Sequence, residues 1–327
     1  IRQYIDSKQY LLAANLLLHK LETPQSNSST AGQMIGALYT EETLKACPEL
    51  KEKIPAIFSA IQQLNQSDPQ GSWKNIGRAV DIACLAGCET DLFTQMGQTM
   101  LQEYPGKCAA LIANMVQRGE VQEAKTWLDR VRAYSNHAYL ALLDHVITSC
   151  QQEQTLSPTN ALLVRSIPRD GNHRPLDAYG ELVNYAFSRD WQKECVQAFY
   201  QLYQFDKNDK ALAACCIQLY MANPEAVGLE TLYNTMQEYL SLVQESYLVR
   251  AAYGLVVVGC CLPEKVDTVT TCLKYLSAQD NSDVIKDLLK LESQCRNFLA
   301  VESDDQKFRR ELLVRAATGW WKMDHTT

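Results

Sequence analysis

The chain has 327 residues, of which 46% are hydrophobic, and it carries a formal net charge of −7 at pH 7. An acidic balance argues against a nucleic-acid-binding protein, because such proteins gain most of their affinity by neutralising phosphates with basic side chains. Only 14 glycines and 10 prolines are present, which favours long helices over short strands joined by many turns.

Residues 1–72 are predicted to form N-terminal helices with loops between them. Apolar residues recur at helical spacing over residues 1–21, which indicates one amphipathic helix. Residues 22–32 are rich in Ser, Thr, Pro and Gln and are predicted to form a loop. The remaining elements of this region are helices over 33–64, interrupted near Pro48 and Pro55, and a second loop over 66–71.

Residues 73–150 are predicted to form helical-hairpin repeats. The turns are marked by Gly87 and Gly119. Their spacing, roughly 32 residues, is typical of stacked helical hairpins. The helices of these hairpins are predicted over 73–86, 90–104, 108–118 and 121–132.

A copy of the second hairpin lies further along the chain. Residues 111–128 align with residues 182–199, so that Arg118 pairs with Arg189 and Ala124 with Cys195. The offset corresponds to two units of about 35 residues. The small residue in each pair is expected to let the second helix of its hairpin approach the first closely.

An interrupting segment over 151–176 breaks this regularity. It is predicted to contain a short helix that begins at Ser157 and Pro158 and a turn-rich loop over 168–175. Residues 177–327 are predicted to form further hairpin repeats and a C-terminal cap. Beyond the copied hairpin, the helices are predicted over 210–222, 225–243, 245–261, 265–277, 282–295 and 304–317.

A turn after an apolar first helix and a small residue early in the second, as at Ala124 and Cys195, resemble the tetratricopeptide and pentatricopeptide repeat families. The resemblance covers residues 73–276 and is that of a divergent helical-hairpin repeat. It implies an all-α fold, an α-solenoid of stacked antiparallel helical hairpins. Proteins of this architecture bind other macromolecules along an extended surface.

No catalytic or cofactor-binding motif is present: the sequence has no phosphate-binding loop, dinucleotide fingerprint or zincin motif. Cys84 and Cys88 share a helical face, but a metal site needs further ligands, and packing is the favoured interpretation. His137 and His145 with Asp144 and Cys150 suggest a ligand cluster or a base–nucleophile pair or, alternatively, histidines without a catalytic role. We therefore predict that the chain is no enzyme and uses no cofactor and no metal.

The first candidate contact with a partner is a basic cluster in the interrupting segment. Arg165, Arg169 and Arg174, with His173 beside them, are typical of a site that recognises phosphate, an acidic peptide or nucleic acid. The alternative is a solvated loop without a binding role.

The second candidate lies near the C-terminus. Arg309 and Arg310 precede Trp320 and Trp321, and tryptophan with arginine is the composition of an interface hot spot. The alternative is that both tryptophans cap the last repeat and seal its core, because helical arrays need specialised ends.

These features predict a non-catalytic protein–protein interaction scaffold, a helical-repeat subunit of a larger complex. The partner is expected to be another helical subunit in a hetero-oligomer, and nucleic acid and membranes are not expected as partners. Twelve cysteines without a compact disulfide framework favour a reducing intracellular compartment, either nuclear or cytoplasmic.

In overall character the chain also resembles the helical domain of a SUMO-interacting-motif protein that helps to localise the Smc five–six complex. That resemblance implies a nuclear role in genome maintenance and an obligate heterodimer with another large helical subunit.

Two alternatives remain at the level of the sequence. An RNA-binding pentatricopeptide-like protein would read bases from recurring side chains, yet the aligned pairs Ala113–Asn184 and Asn114–Tyr185 show no such code. An enzyme would place its site in the loop over 165–174, with His173 as the residue to test.

Overall fold

The computed structural model describes residues 1–22, 28–67, 72–169, 176–242, 245–262 and 282–300, together with Arg309, Arg310 and Leu313. In these parts of the chain the regular structure is helical and no strand occurs. The fold is therefore all-α, which confirms the predicted class.

The chain divides into two compact units, Ile1–His173 and Arg174–Thr327. The described helices of the first unit are α1 (Arg2–Asp6), α2 (Tyr10–Leu21), α3 (Ser28–Leu38), α4 (Glu41–Ala46), a 3₁₀ helix (Pro48–Lys53), α5 (Ile54–Ser67), α6 (Ser72–Ala86), α7 (Glu89–Glu103), α8 (Pro105–Gln117), α9 (Val121–Arg132), α10 (Ala138–Glu153) and α11 (Pro158–Ser166).

The described helices of the second unit are α12 (Leu176–Phe187), α13 (Gln192–Phe205), α14 (Lys210–Ala222), α15 (Pro224–Val227), α16 (Leu229–Leu242), α17 (Glu245–Cys260) and α18 (Ser282–Ala300).

Within each unit, helices pack on the next helix and on the next but one. In the first unit α6 contacts α7 and α8, and α8 contacts α9 and α10. In the second unit α12 contacts α13 and α14, and α14 contacts α13 and α16. Successive hairpins laid one on another produce this pattern of neighbours.

Several helices begin at residues that satisfy the otherwise unbonded N–H groups of a first turn. Ser157 caps α11 by accepting a hydrogen bond from the Asn160 amide at 3.2 Å. Asp209 caps α14 by accepting from the Leu212 amide at 3.1 Å. Pro105 opens α8, where the missing N–H of proline costs no hydrogen bond.

Four turns between helices share one backbone geometry. Their central residue has a positive φ, which is +59° at Lys8, +72° at Gly87, +85° at Gly119 and +57° at Asp190. In the turn at Gly119, the Gly119 amide donates to Val116 O and the Glu120 amide donates to Met115 O, both at 3.0 Å. These two bonds form the Schellman motif that ends many helices at a left-handed residue.

The bond that closes this motif recurs in the other three turns. At Lys8 the Gln9 amide donates to Tyr4 O at 2.8 Å. The Cys88 amide donates to Ala83 O at 3.1 Å, and the Trp191 amide donates to Ala186 O at 2.9 Å. Cys88 precedes Glu120 by one repeat length in the sequence, and Trp191 follows it by two repeat lengths. The bond therefore follows the predicted spacing at Gly87, Gly119 and Asp190, and it also occurs outside that spacing at Lys8.

The small residues of the aligned hairpins lie in the core. Ala124 of α9 and Cys195 of α13 are both fully buried, and each helix packs against the one before it. This placement agrees with the expectation that a small side chain permits close approach at these positions.

Two boundaries within residues 1–72 differ from prediction. The helix over 1–21 is broken between α1 and α2, because Lys8 adopts a left-handed φ of +59° that cannot continue a right-handed helix. Ser28 already begins α3 within the predicted loop. The predicted interruption near Pro55 coincides with the boundary between the 3₁₀ helix and α5, and Pro55 lies in the first turn of α5, where no backbone donor is needed.

Two boundaries differ in the second unit. The helix predicted over 225–243 is divided into α15 and α16 at Gly228, which has a φ of +81° that an L-residue rarely adopts. Helix α18 runs past residue 295 to Ala300. The helix predicted over 265–277 lies outside the described residues, and of the one over 304–317 only Arg309, Arg310 and Leu313 are described, all of them helical.

Candidate interaction surface

Three basic side chains act electrostatically on one half-buried carboxylate in the first unit. The Arg78 guanidinium lies 3.4 Å from Asp81 Oδ2 within α6. Burial raises the pKa of the Asp81 carboxyl, and the positive charges of Arg78, Arg169 and Lys107 act in the opposite direction. We call Arg78, Asp81, Lys107 and Arg169 the Asp81 cluster.

Two glycines, one on α6 and one on α3, leave room for basic side chains that come from neighbouring helices. A Cβ atom added at Gly77 would lie 3.2 Å from Lys107 Nζ, and one added at Gly36 would lie 3.4 Å from Arg78 Cζ. Both distances are tighter than ordinary van der Waals contact. The side chains of Lys107 and Arg78 therefore lie against bare backbone of α6 and α3.

The Asp81 cluster has three cationic members and one anionic member. Its formal charge is therefore +2, in a chain whose total is −7. Arg169 is exposed, and 49% of the Arg78 side chain is accessible to solvent. The cluster thus presents positive charge to solvent on an otherwise acidic protein.

The structure places the first group of predicted contact residues as follows. Arg165 is exposed in the last turn of α11, and Arg169 is exposed just beyond that helix. Arg174 and the neighbouring His173 lie outside the described residues. The sequence prediction identified Arg169 and missed Arg78 and Lys107. The only sequence signal for these two residues is that their separation is close to the length of the hairpin repeat.

The second group of predicted residues lies partly within the structure. Arg309 Nη1 donates a hydrogen bond to Phe298 O at 2.7 Å, and the guanidinium lies 4.8 Å from the centre of the Phe298 ring. The Arg310 carbonyl faces Cys261 Sγ at 4.0 Å. Trp320 and Trp321 lie outside the described residues. Arg309 therefore already makes a contact inside the second unit.

A second charged group of the first unit is engaged by its neighbours. Glu89 begins α7 and is 1% exposed. Arg118 donates to both of its carboxylate oxygens, with Nη2 to Oε2 at 2.7 Å, and Asn114 Nδ2 donates to Oε1 at 2.5 Å. Hydrogen bonds to Glu89 raise the pKa of the Arg118 guanidinium. The ion pair links residues of two successive turns, and both carboxylate oxygens of Glu89 are occupied by hydrogen bonds.

The cysteine pair of α6 and its turn has the properties of packing residues. Burial raises the pKa of Cys84 and of Cys88 to about 12, so both thiols stay protonated near neutral pH, whereas metals bind the thiolate. Among the described residues no group of three or more His, Cys, Asp or Glu side chains is placed to hold a metal ion.

His137 and Cys150 lie at opposite ends of α10. His137 Nδ1 accepts a hydrogen bond from the Tyr139 amide at 3.3 Å at the start of the helix, whereas Cys150 is buried near its end. Asp144 between them is held by Lys125 and Arg132 at 3.1 and 2.5 Å. His137 and Cys150 therefore do not form a base–nucleophile pair.

Comparison with known protein families, with curated proteins and with solved structures finds no match for this chain. In the described part of the chain no helix combines the length and the apolar character needed to cross a bilayer.

Proposed function

We propose that this chain is a non-catalytic helical-repeat subunit that binds another protein in an intracellular complex. The observation that carries the proposal is the turn of Gly87, Gly119 and Asp190, which recurs along the chain with the same closing hydrogen bond. Repetition of one supersecondary unit is the construction principle of solenoid proteins, whose stacked repeats present extended binding surfaces.

The packing of helices within each unit supports a solenoid arrangement. Each hairpin contacts the hairpins next to it in sequence, so that the core is continuous while one edge of each helix pair faces solvent. Such an edge offers side chains from successive repeats to one partner. We infer that the partner is itself a helical subunit and that the complex is a hetero-oligomer.

The Asp81 cluster is the part of this surface that we propose as the contact with the partner. Arginine side chains make strong charge-assisted hydrogen bonds to carboxylates, and the cluster carries a formal charge of +2. An acidic segment of the partner would therefore be attracted to Arg78 and Arg169, with exposed Arg165 nearby in sequence. Tight nucleic-acid binding usually involves many more phosphate contacts than two exposed arginines supply, which favours a protein instead.

The C-terminal residues remain a second, weaker proposal. We keep Arg310, Trp320 and Trp321 as predicted contacts, and Arg309 as a residue that contributes through its contact with Phe298. A nuclear role in genome maintenance, implied by the resemblance to the SUMO-interacting-motif protein, also stays a prediction.

The proposal is tested by co-purification of the full chain from a cell extract, with and without nuclease. We expect one partner protein at fixed stoichiometry, measured by light scattering after size exclusion, and unchanged recovery after nuclease. Recovery that disappears with nuclease would contradict the proposal and favour the RNA-binding alternative.

The contact surface is tested with the purified pair. Arg78→Glu combined with Arg169→Glu is expected to weaken binding at least about tenfold, which corresponds to about 1.4 kcal/mol. The matched control is Lys193→Glu combined with Lys210→Glu, which changes the net charge equally at exposed positions of the second unit. Equal losses in both double variants would show that only total charge matters, and the Asp81 cluster would lose its assigned role.

A further inference from the structure

Two cysteines of the second unit face each other across packed helices. Cys260 is the last residue of α17 and is half-buried, and Cys295 lies in α18 and is 3% exposed. Helices α17 and α18 pack directly against each other. Cys260 Sγ lies 4.0 Å from Glu292 O, and Glu292 lies one helical turn before Cys295, so both occupy the same face of α18.

The two thiols interact electrostatically, since each shifts the pKa of the other. Their separation in sequence is the same as that of Tyr203 and Glu238, whose side chains bond at 2.5 Å. Residues about one repeat apart meet wherever successive hairpins stack, and other examples are Gln62 with Gln95 and Thr90 with Glu123. Cys260 and Cys295 therefore have the same separation in sequence as other side chains that meet between packed helices of this fold.

The environment distinguishes the two thiols. Interaction with Cys260 lowers the pKa of Cys295, whereas interaction with Cys295, together with burial, raises the pKa of Cys260. Burial raises the pKa of Cys195, Cys215 and Cys261 to about 12. Among the described cysteines, a lowered pKa is found at Cys295 alone, and redox-sensing cysteines often have a second, resolving thiol beside them.

We propose that Cys260 and Cys295 form a redox modification site, at which hydrogen peroxide converts the two thiols into a reversible disulfide that joins α17 to α18. The proposed contact with the partner does not involve Cys260 or Cys295, so the two proposals are independent and are tested separately.

The chemistry balances in two steps. The Cys295 thiolate attacks one oxygen of hydrogen peroxide, the O–O bond breaks, and the departing hydroxide takes up a proton to become water, which leaves a sulfenic acid on Cys295. Cys260 then gives up its proton and attacks Cys295 Sγ, the S–O bond breaks, and a second water departs. Two thiols are oxidised to one disulfide, and one peroxide is reduced to two waters.

The neighbouring Cys261 provides an internal control. Its Sγ faces Val257 O of α17 at 3.4 Å, and adjacent residues of a helix point in different directions. The same peroxide treatment is therefore expected to leave Cys261 outside the disulfide, although it is the next residue in sequence.

The disulfide would close a loop that contains residues 261–294. A closed loop of this length restricts the unfolded chain more than the folded one, so oxidation is expected to raise the midpoint of thermal unfolding of the second unit by several degrees. Treatment with a thiol reductant is expected to return the midpoint to its original value.

The site is tested on the full chain by treatment with a stoichiometric amount of hydrogen peroxide, alkylation of the remaining thiols, trypsin digestion and mass spectrometry. The expected product links the peptide of residues 251–265 to that of residues 291–296, with fragment ions that assign the bond to Cys260 and Cys295. This measurement needs no variant, so it does not depend on the folding of one.

Variants then test the assignment. Cys260→Ser and Cys295→Ser are each expected to abolish the linked peptide and the rise in the unfolding midpoint, whereas Cys261→Ser is expected to keep both. A bond assigned to Cys261 would overturn the proposal. So would oxidation of other cysteines while the thiols of Cys260 and Cys295 remain free for alkylation.

Discussion

The turns at Gly119 and Asp190 have the same backbone and different side-chain contacts. Each is closed by the same hydrogen bond, made by the residue after the left-handed position. In the first unit Arg118 forms an ion pair with buried Glu89 and a second one with Glu120 at 2.6 Å. In the second unit the aligned Arg189 lies over two aromatic rings, 4.6 Å from the centre of Tyr185 and 5.3 Å from that of Trp191.

The same difference extends along the hairpins. Lys125, Arg132 and Asp144 form an ionic network in the first unit. The positions related to them by the same sequence offset hold Val196, Tyr203 and Cys215, which are all buried. The comparison shows that the two aligned turns share a backbone geometry, while the ionic network of the first unit is replaced in the second by buried side chains, of which Tyr203 donates a hydrogen bond to Glu238.

The largest expected effect distinguishes the two arginines. Arg118→Met should lower the local stability of the first unit by about 3 kcal/mol, because removal of one member of a buried ion pair leaves the other without compensation. Arg189→Met should cost only about 0.5–1 kcal/mol, the usual strength of an exposed cation–π contact. Hydrogen exchange of the helices on either side of each turn measures both values.

Equal losses at the two turns would contradict this comparison. They would mean that Arg118 and Arg189 act through the shared backbone geometry, and that the ion pair to Glu89 has little stabilising value of its own.

The next effect concerns the central residue of each turn. Gly119→Ala should destabilise its turn by about 1 kcal/mol, because an L-residue with a Cβ is strained at a left-handed φ. Asp190→Gly should have the opposite sign and stabilise its turn by about 0.5 kcal/mol, because glycine removes that strain. Urea unfolding of each variant against the parent chain gives the two differences, and a loss of stability in Asp190→Gly would show that the aspartate side chain contributes more than its strain costs.

The smallest effect concerns Asp144 and depends on pH. Although burial opposes it, hydrogen bonds from Lys125 and Arg132 lower the pKa of this carboxyl. A lowered folded-state pKa stabilises the fold above the unfolded pKa, and the contribution is lost as the pH falls through the folded value. Asp144→Asn should therefore cost about 0.5 kcal/mol at neutral pH, the range of partly exposed ion pairs.

This difference between Asp144→Asn and the parent chain should vanish at about pH 2, where the carboxyl is protonated in the folded and the unfolded chain alike. Asp129→Asn is the matched control, because Asp129 bonds to the same Lys125 at 2.8 Å but is more exposed. Urea-unfolding free energies at the two pH values test the prediction, and a difference that persists in acid would show that Asp144 acts through packing and not through its charge.

Helices and turns were largely predictable because their signals are local. The apolar period of α8 and α9, Pro158 after Ser157 and Gly119 between two apolar runs each act within a few residues of chain. The errors occurred where a local signal was weak. Lys8 breaks the first helix without a glycine or proline, and Gly228 lies within an otherwise continuous helical pattern.

The sequence by itself therefore determined the all-α class and the places of the turns at Gly87, Gly119 and Asp190, since backbone conformation responds to nearby residues. Only the tertiary structure decided which distant side chains interact: Glu89 with Arg118, Arg169 with Asp81, and Cys260 with Cys295. The members of each pair lie on different elements of the chain, and their contact depends on how helices pack side by side, which no local pattern of residues encodes.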